Sequence, residues 1–245
     1  MSTTHNWNHR GLAGPLCTIM LMAVMGLAAL WLARPVSASD GQATVTADAR
    51  EEVQAATAAL GRVTAVKTIP SVVIDKALGV AVFSNLVKAA FIVGGTGGDG
   101  VFMRKTAAGG WGAPAFVNLA GASIGAQIGG SKTDAIVFFM DQASLDALKT
   151  GKFEFGSAVT AMAGPTSATA VSRSTMKGVY IYARQDGLFA GASANGTTIR
   201  FDEEENKAVY GAAAADLITG QVETPKGLES LGQAVKALIK PTGSN

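Results

Sequence analysis

After residue 38 this sequence contains no histidine and no cysteine: His5, His9 and Cys17 all precede it. That stretch therefore offers no thiol nucleophile, no imidazole base, no disulfide and no Cys/His zinc site. A Ser-His-Asp triad is excluded. Net charge is also missing. The whole chain has 20 basic and 18 acidic residues, and Arg10 and Arg34 fall in the first 38, so the remainder is neutral. A neutral chain argues against nucleic-acid binding dominated by phosphate contacts. Proline is scarce, and no Pro/Ser-rich linker divides residues 39–245, which suffice for one sizeable core.

The one long apolar run is at the start. Arg10 precedes an almost wholly apolar stretch from Leu12 to Ala33, Arg34-Pro35 breaks it, and Val36-Ser37-Ala38 offers small residues for cleavage. The pattern reads as a signal peptide over 1–38, and hence as export to the periplasm or beyond. A retained anchor is the other reading of such a run.

Glycine is abundant and patterned. Over Ala120 to Gly129, Gly121, Ser123, Gly125, Gln127 and Gly129 alternate with alanines and isoleucines, a period of two. Glycine weakens a strand unless the sheet bends sharply or another group must approach the backbone. Gly94 to Gly100 reads as a glycine hairpin turn. It matches G-x-G-x-x-G, but a strand-like VFMRK follows where a dinucleotide site needs a helix.

Helical spacing of Ala49, Val53, Ala56, Leu60, Val63 and Val66 predicts a helix from Asp48 to about Lys67, with a short second helix from Ile69-Pro70 to Ala77. Strands are expected at Val80–Phe83, Ala90–Gly94, Val101–Lys105, Ala115–Gly129, Ala135–Met140, Phe153–Ala163, Ala168–Ser174, Gly178–Ala183, Leu188–Ala194 and Thr197–Phe201. Asn195-Gly196 suggests a hairpin between the last two. Asp141 is read as the N-cap of a helix through Lys149 that Gly151 closes. A final amphipathic helix opens at Thr224-Pro225 and covers about 225–239. The fold class expected is α+β, a curved, largely antiparallel, barrel-like sheet with helices at both ends of the chain.

Other motifs carry less. Ser174-x-x-Lys177 and Lys149-Thr150-Gly151 match pieces of the serine β-lactamase set in the wrong order, leaving a Ser-Lys hydrolase as a remote alternative. Asp202 with Glu203, Glu204 and Glu205 reads as a helix start or solvated turn rather than a Ca²⁺ loop. Asp99 and Asp134 are read as turn formers. No cofactor and no metal are expected.

An ordered set of pieces points further: Ile69-Pro70, Gly79-Val80-Ala81-Val82-Phe83, Phe91-Ile92-Val93-Gly94-Gly95, Trp111-x-x-Pro114-x-Phe116, Gly125-x-Gln127-Ile128-Gly129, Thr133-Asp134, Gly164-Pro165 and Tyr210-Gly211. Between about residues 53 and 211 this order resembles the SYLF domain family. The resemblance implies a non-enzymatic lipid-binding module, here a single domain over 39–245. Eukaryotic members look like phosphoinositide binders tied to actin regulation. An exported chain is expected to keep the phospholipid or membrane-surface partner and not actin. Candidate lipid-contacting residues are Lys88, Phe91, Gly95, Gly97, Gly100, Phe102, Arg104 and Lys105, around the glycine hairpin, whose bare amides would take a phosphate. The alternative function is a structural protein that binds an envelope partner protein.

Overall fold

Thr46, rather than Asp48, starts the first helix: its Oγ1 accepts a 3.0 Å hydrogen bond from the Ala49 amide. The computed structural model describes residues 45–90, 93–124, 129–151, 153–156, 159–167, 177–186 and 196–239. Residues Gly41–Asn245 pack as one unit, and the apolar N-terminal run lies outside the described residues. Helix α1 (Ala47–Thr64) buries Ala49, Val53, Ala56, Leu60 and Val63, the face its periodicity predicts. Pro70 precedes α2 (Ser71–Lys76).

Seven strands form one sheet: β1 (Gly79–Ala90), β2 (Val93–Arg104), β3 (Ala115–Ile124), β4 (Gly129–Phe139), β5 (Ala161–Ala163), β6 (Val179–Asp186) and β7 (Thr197–Phe201). Their spatial order is β5-β6-β4-β1-β2-β3-β7. All neighbours are antiparallel except β5 and β6. β1 to β3 form a meander and β4 returns beside β1, the 4-1-2-3 order of a Greek key. The expected strand over 153–163 divides between the two edges. Phe155 donates to the Thr197 carbonyl (2.9 Å) and Phe153 accepts from the Ile199 amide (3.3 Å) along β7, while β5 lies on β6. One short segment thus touches both edges of a sheet that curls towards a barrel. The α+β architecture with helices at both ends is as expected.

The glycine segment departs from expectation. Gly94 to Gly100 is not a turn but the body of β2, between β1 and β3. Each of these residues has a partner on β3, and all except Gly98 and Asp99 have one on β1. Two-sided pairing outweighs the low strand preference of glycine. Its amides belong to the ladders and form no phosphate nest. β1 likewise runs through the gap expected between two strands. It absorbs the change of register as a bulge at Asn85, whose φ of 53° makes it the one non-glycine residue with positive φ among those described.

Alternate residues of the sheet feed two cores. Val80, Val82, Val101, Met103, Ile136 and Phe138 pack with α1 and with α6 (Ser230–Ala237). Ala81, Phe83, Phe102, Val117, Val137 and Phe139 pack with Leu145 and Leu148 of α3 (Gln142–Lys149) and with Phe153 and Phe155. Asp141 caps α3 by accepting from the Ser144 amide at 2.9 Å, and Gly151 follows at a φ of 66°, both as expected.

The acidic run does start a helix, α4 (Glu203–Tyr210), capped by Asp202. The short α5 (Ala214–Leu217) was not foreseen. The final helix starts at Ser230 rather than near Thr224, because Gly227 holds a φ of 97° before it; Leu228 is still buried. β7 pairs with β3, and its expected hairpin partner, 188–194, lies outside the described residues. So do the expected strand over 168–174 and Ser174.

Candidate functional site

Beyond the bulge at Asn85 the sheet loses its cover. Cross-strand partners share a face, and the register sets Lys132, Val87, Gly97 and Ala120 in one row across β4, β1, β2 and β3. Val87 is 50% exposed, Lys132 and Ala120 are exposed, and Gly97 is half-buried. The next row places Ala89, exposed Gly95 and Ala122 side by side. This strip continues the face that α1 covers lower down the sheet. Apart from Val87 and Lys132, its residues are glycine and alanine.

Among the described residues nothing packs closely enough on Gly95 or Gly97 to require glycine there. A Cβ on Gly97 would come no nearer than 3.6 Å to another atom, and one on Gly95 no nearer than 4.0 Å. Gly100 and Gly121 differ: a Cβ would stand 2.4 Å from the Phe83 ring and 2.6 Å from Thr197 Oγ1. Those two glycines serve close packing. The pair in the strip leaves bare backbone facing outwards.

A basic cluster lies at the foot of the strip. Arg62, in the last turn of α1, holds Asp134 of β4 through Nε and Nη2 at 2.7 and 2.9 Å. Arg184 of β6 lies 3.6 Å from the same carboxylate, and the Asn85 amide donates to it at 3.1 Å. Burial alone would raise Asp134; hydrogen bonds from Arg62 and Asn85 and the charges of Arg62 and Arg184 overcome this and hold it below its ordinary value. Asp134 is therefore an ionised strand residue, not the turn former expected. Lys132, two residues away on the same face, adds a third cation. Val66, 59% exposed, follows Arg62 by one turn. Among the described residues, Val66 and Val87 are the exposed large hydrophobics.

The structure separates the residues singled out from sequence. Gly95 and Gly97 lie in the strip, and Lys88 stands opposite Thr96 and Ser131 in the ladders. Phe91 lies outside the described residues. Gly100 packs under Phe83, and Phe102 is wholly buried edge-on to Phe139 and Phe201, at 5.4 and 6.1 Å. Arg104 and Lys105 sit at the other end of β2. Arg104 donates to the Leu78 carbonyl at 2.8 Å. Lys105 Nζ caps α2 through the carbonyls of Ile74 and Asp75, at 2.9 and 2.5 Å. Burial lowers the Lys105 ammonium, opposed by Asp75. Arg104 lies seven residue steps along β2 from Gly97, roughly 23 Å, so the two cations do not serve the strip. Arg62, Lys132 and Arg184 do, and sequence reasoning missed them.

Comparison with known proteins agrees with the order of these pieces. A profile of the Ysc84 family, described as "Las17-binding protein actin regulator", matches residues 120–238, from the strip through β4, β6 and β7 to the last helix. LAS seventeen-binding protein 3 of Saccharomyces cerevisiae is 30% identical over 182 residues, covering 70% of this chain and 39% of its own length. SH3 domain-containing YSC84-like protein 1 of Mus musculus is 31% identical over 180 residues, 71% of this chain and 53% of its own. The Homo sapiens protein of that name is 31% identical over 171 residues, 67% and 50%.

The chain belongs to the SYLF domain family. It spans about 39% to 53% of the length of these relatives.

This SYLF domain also carries an acidic counterpart to the basic cluster. Burial pushes Glu52 of α1 up to about 9, and Glu205, Asp99 and Asp202 push the same way. Burial raises Glu205 of α4 as well. Glu205 Oε1 is buried without a donor; a proton held on Glu52 supplies one. Glu52 and Arg62 are ten residues apart on one helix, about 15 Å. The neutral overall composition thus conceals a basic cluster at one end of α1 and, at the other, the acidic groups Asp99, Asp202 and Glu205 around a protonated Glu52. Among the described residues no group of three or more His, Cys, Asp or Glu could hold a metal ion, and no helix is long and apolar enough to cross a membrane.

Proposed function

We propose that this protein is a non-enzymatic interaction module of the bacterial cell envelope that binds the surface of anionic phospholipid membranes. The contact is the strip of Val87, Gly95, Gly97, Ala120 and Lys132. The observation that carries this reading is the exposed backbone at Gly95 and Gly97, which no close contact among the described residues requires. A glycine- and alanine-rich face has few side chains with which to grip a contoured partner, and bare backbone lets headgroups approach closely. The cations Arg62, Lys132 and Arg184 beside it outnumber the acidic residues Asp134 and Asp186, the latter the cross-strand partner of Lys132, and favour phosphate headgroups over a cationic or neutral surface. Val66 and Val87 add apolar contact at the interface. The export pattern before residue 38 motivates the envelope compartment, and the absence of His and Cys after it motivates the non-enzymatic reading. The names of the relatives speak of protein binding and actin regulation; for this chain the corresponding alternative is an envelope protein docking on the same strip.

Co-sedimentation of the full chain with phosphatidylcholine vesicles, with and without phosphatidylglycerol, tests the reading. Binding is expected to need phosphatidylglycerol, to weaken with salt, and to fall in Val87→Asp and Lys132→Glu. No binding to any vesicle, together with stoichiometric capture of an envelope protein lost in Val87→Asp, replaces the lipid reading with the protein one.

A further inference from the structure

Away from the strip, a cavity of about 290 Å³ opens between α6 and the loop that joins β2 to β3. Its walls are Trp111, Met103 and Leu228. Gly232 of α6 faces it with bare backbone. A Cβ there would make only ordinary contacts, 3.7 Å from Met103 Sδ and from Trp111 Cβ. The missing side chain keeps the cavity open, at a position where alanine would favour the helix.

The cavity is preorganised. Lys105 Nζ lies 5.6 Å from the centre of the Trp111 ring while bonded to the carbonyls of Ile74 and Asp75. The indole is therefore held between a fixed cation and the cavity. At the mouth stand Gln233 and Lys236, one turn apart on α6 and both exposed. Lys236 makes no salt bridge among the described residues. The one carboxylate on the lining, Glu229, already accepts from the Gly227 amide at 2.8 Å.

We infer that this cavity binds a single-chain anionic amphiphile, a fatty acid or similar monoacyl acid. Its chain lies against the half-buried Trp111 and the bare backbone of Gly232, with Met103 and Leu228 buried behind them, and its head group meets Lys236. The volume sits at the lower end of ligand cavities, about 300–1,000 Å³, which leaves room for one chain and not for a two-chain phospholipid. The unpaired ammonium at an apolar mouth selects an anion over a cation or an alcohol of the same length. The site shares no residue with the strip, so it stands or falls separately from membrane binding.

The test is calorimetric titration of the full chain with dodecanoate below its micelle concentration, compared with dodecanol and dodecylamine. Expected is saturable binding of one dodecanoate, with dodecanol weaker and dodecylamine absent. Lys236→Gln is expected to weaken dodecanoate roughly threefold, the scale of an exposed ion pair, and to leave dodecanol unchanged. Gly232→Leu fills the cavity and should abolish binding, with an unchanged or raised melting temperature and unchanged vesicle sedimentation. Equal binding of dodecanoate to Gly232→Leu and to the parent overturns the site. Equal affinity for dodecanoate and dodecanol overturns the assignment of Lys236. Should Gly232→Leu misfold, Lys236→Gln on its exposed position still decides.

Discussion

Arg62 and Asp134, 72 positions apart in sequence, meet through two parallel hydrogen bonds of 2.7 and 2.9 Å. The arginine side chain is 38% exposed and the aspartate 5%, so the pair joins a solvated helix end to a buried strand. The same carboxylate accepts the amide of Asn85 and thereby pins the bulge at which the sheet emerges from its cover.

Asp134→Ala is expected to lower stability by about 2–3 kcal/mol, since it orphans the Asn85 amide and removes the carboxylate that Arg62 and Arg184 share. Asp134 is held below its ordinary value of 3.8. Its contribution is therefore complete above that value and is lost as pH falls through the lower, folded value. Acid unfolding followed by circular dichroism should show a reduced dependence below about pH 4 in Asp134→Asn.

Glu52 gives the opposite sign. Its folded value of about 9 lies above the ordinary 4.5. Between those limits the folded state holds a proton that the unfolded state releases, so stability falls as pH rises from about 4.5 towards 9. Glu52→Gln keeps a donor for Glu205 without the charge. At pH 8 it is expected to gain about 1 kcal/mol, roughly 2–4 °C in melting temperature, and to flatten the decline measured by thermal melts across that range.

Asn206 is fully buried and ties α4 to β3. It accepts from the Phe116 amide at 2.9 Å and donates to the Phe116 carbonyl at 2.7 Å. The carbonyl has a second donor in the Asp202 amide, at 3.0 Å, whereas the amide is left unpaired in Asn206→Ala. The expected loss is about 2–3 kcal/mol by urea unfolding, with Asn206→Asp at least as harmful because it buries a charge opposite a carbonyl.

The glycines of β2 should divide by position. Gly100→Ala drives a methyl group into the Phe83 ring and is expected to cost about 1–3 kcal/mol. Gly97→Ala has room and should change stability by less than about 0.5 kcal/mol. Gly97→Val is expected to fold and to weaken vesicle binding, because the branched side chain covers the exposed backbone. Parallel melts and sedimentation of the three variants check this.

Sequence alone showed much of the frame. The spacing of Val53, Ala56, Leu60 and Val63, the cap at Asp141 and the stop at Gly151 are local signals, and local signals survive folding. The glycine segment misled because its residues individually disfavour a strand; the two flanking strands that override this are distant in sequence. That error moved the site. A hairpin at 94–100 would bring Lys88 near Arg104 and Lys105, whereas a continuous strand sends the last two to the other end of the sheet. Arg62, Lys132 and Arg184 were not legible, because nothing in a balanced helix marks which of its charges meets a strand 72 residues later. Gly95 and Gly97 were legible as candidates, yet only their open surroundings distinguish them from Gly100.

The segment over 153–163 has one more effect. It lies against β7 at Phe153 and Phe155 and against β6 at Ala161–Ala163, which occupies backbone groups that would otherwise template another chain. Fewer open strand groups then remain at the rims for a second copy to pair with, so this glycine-rich sheet is less prone to zip rim to rim into a growing fibril.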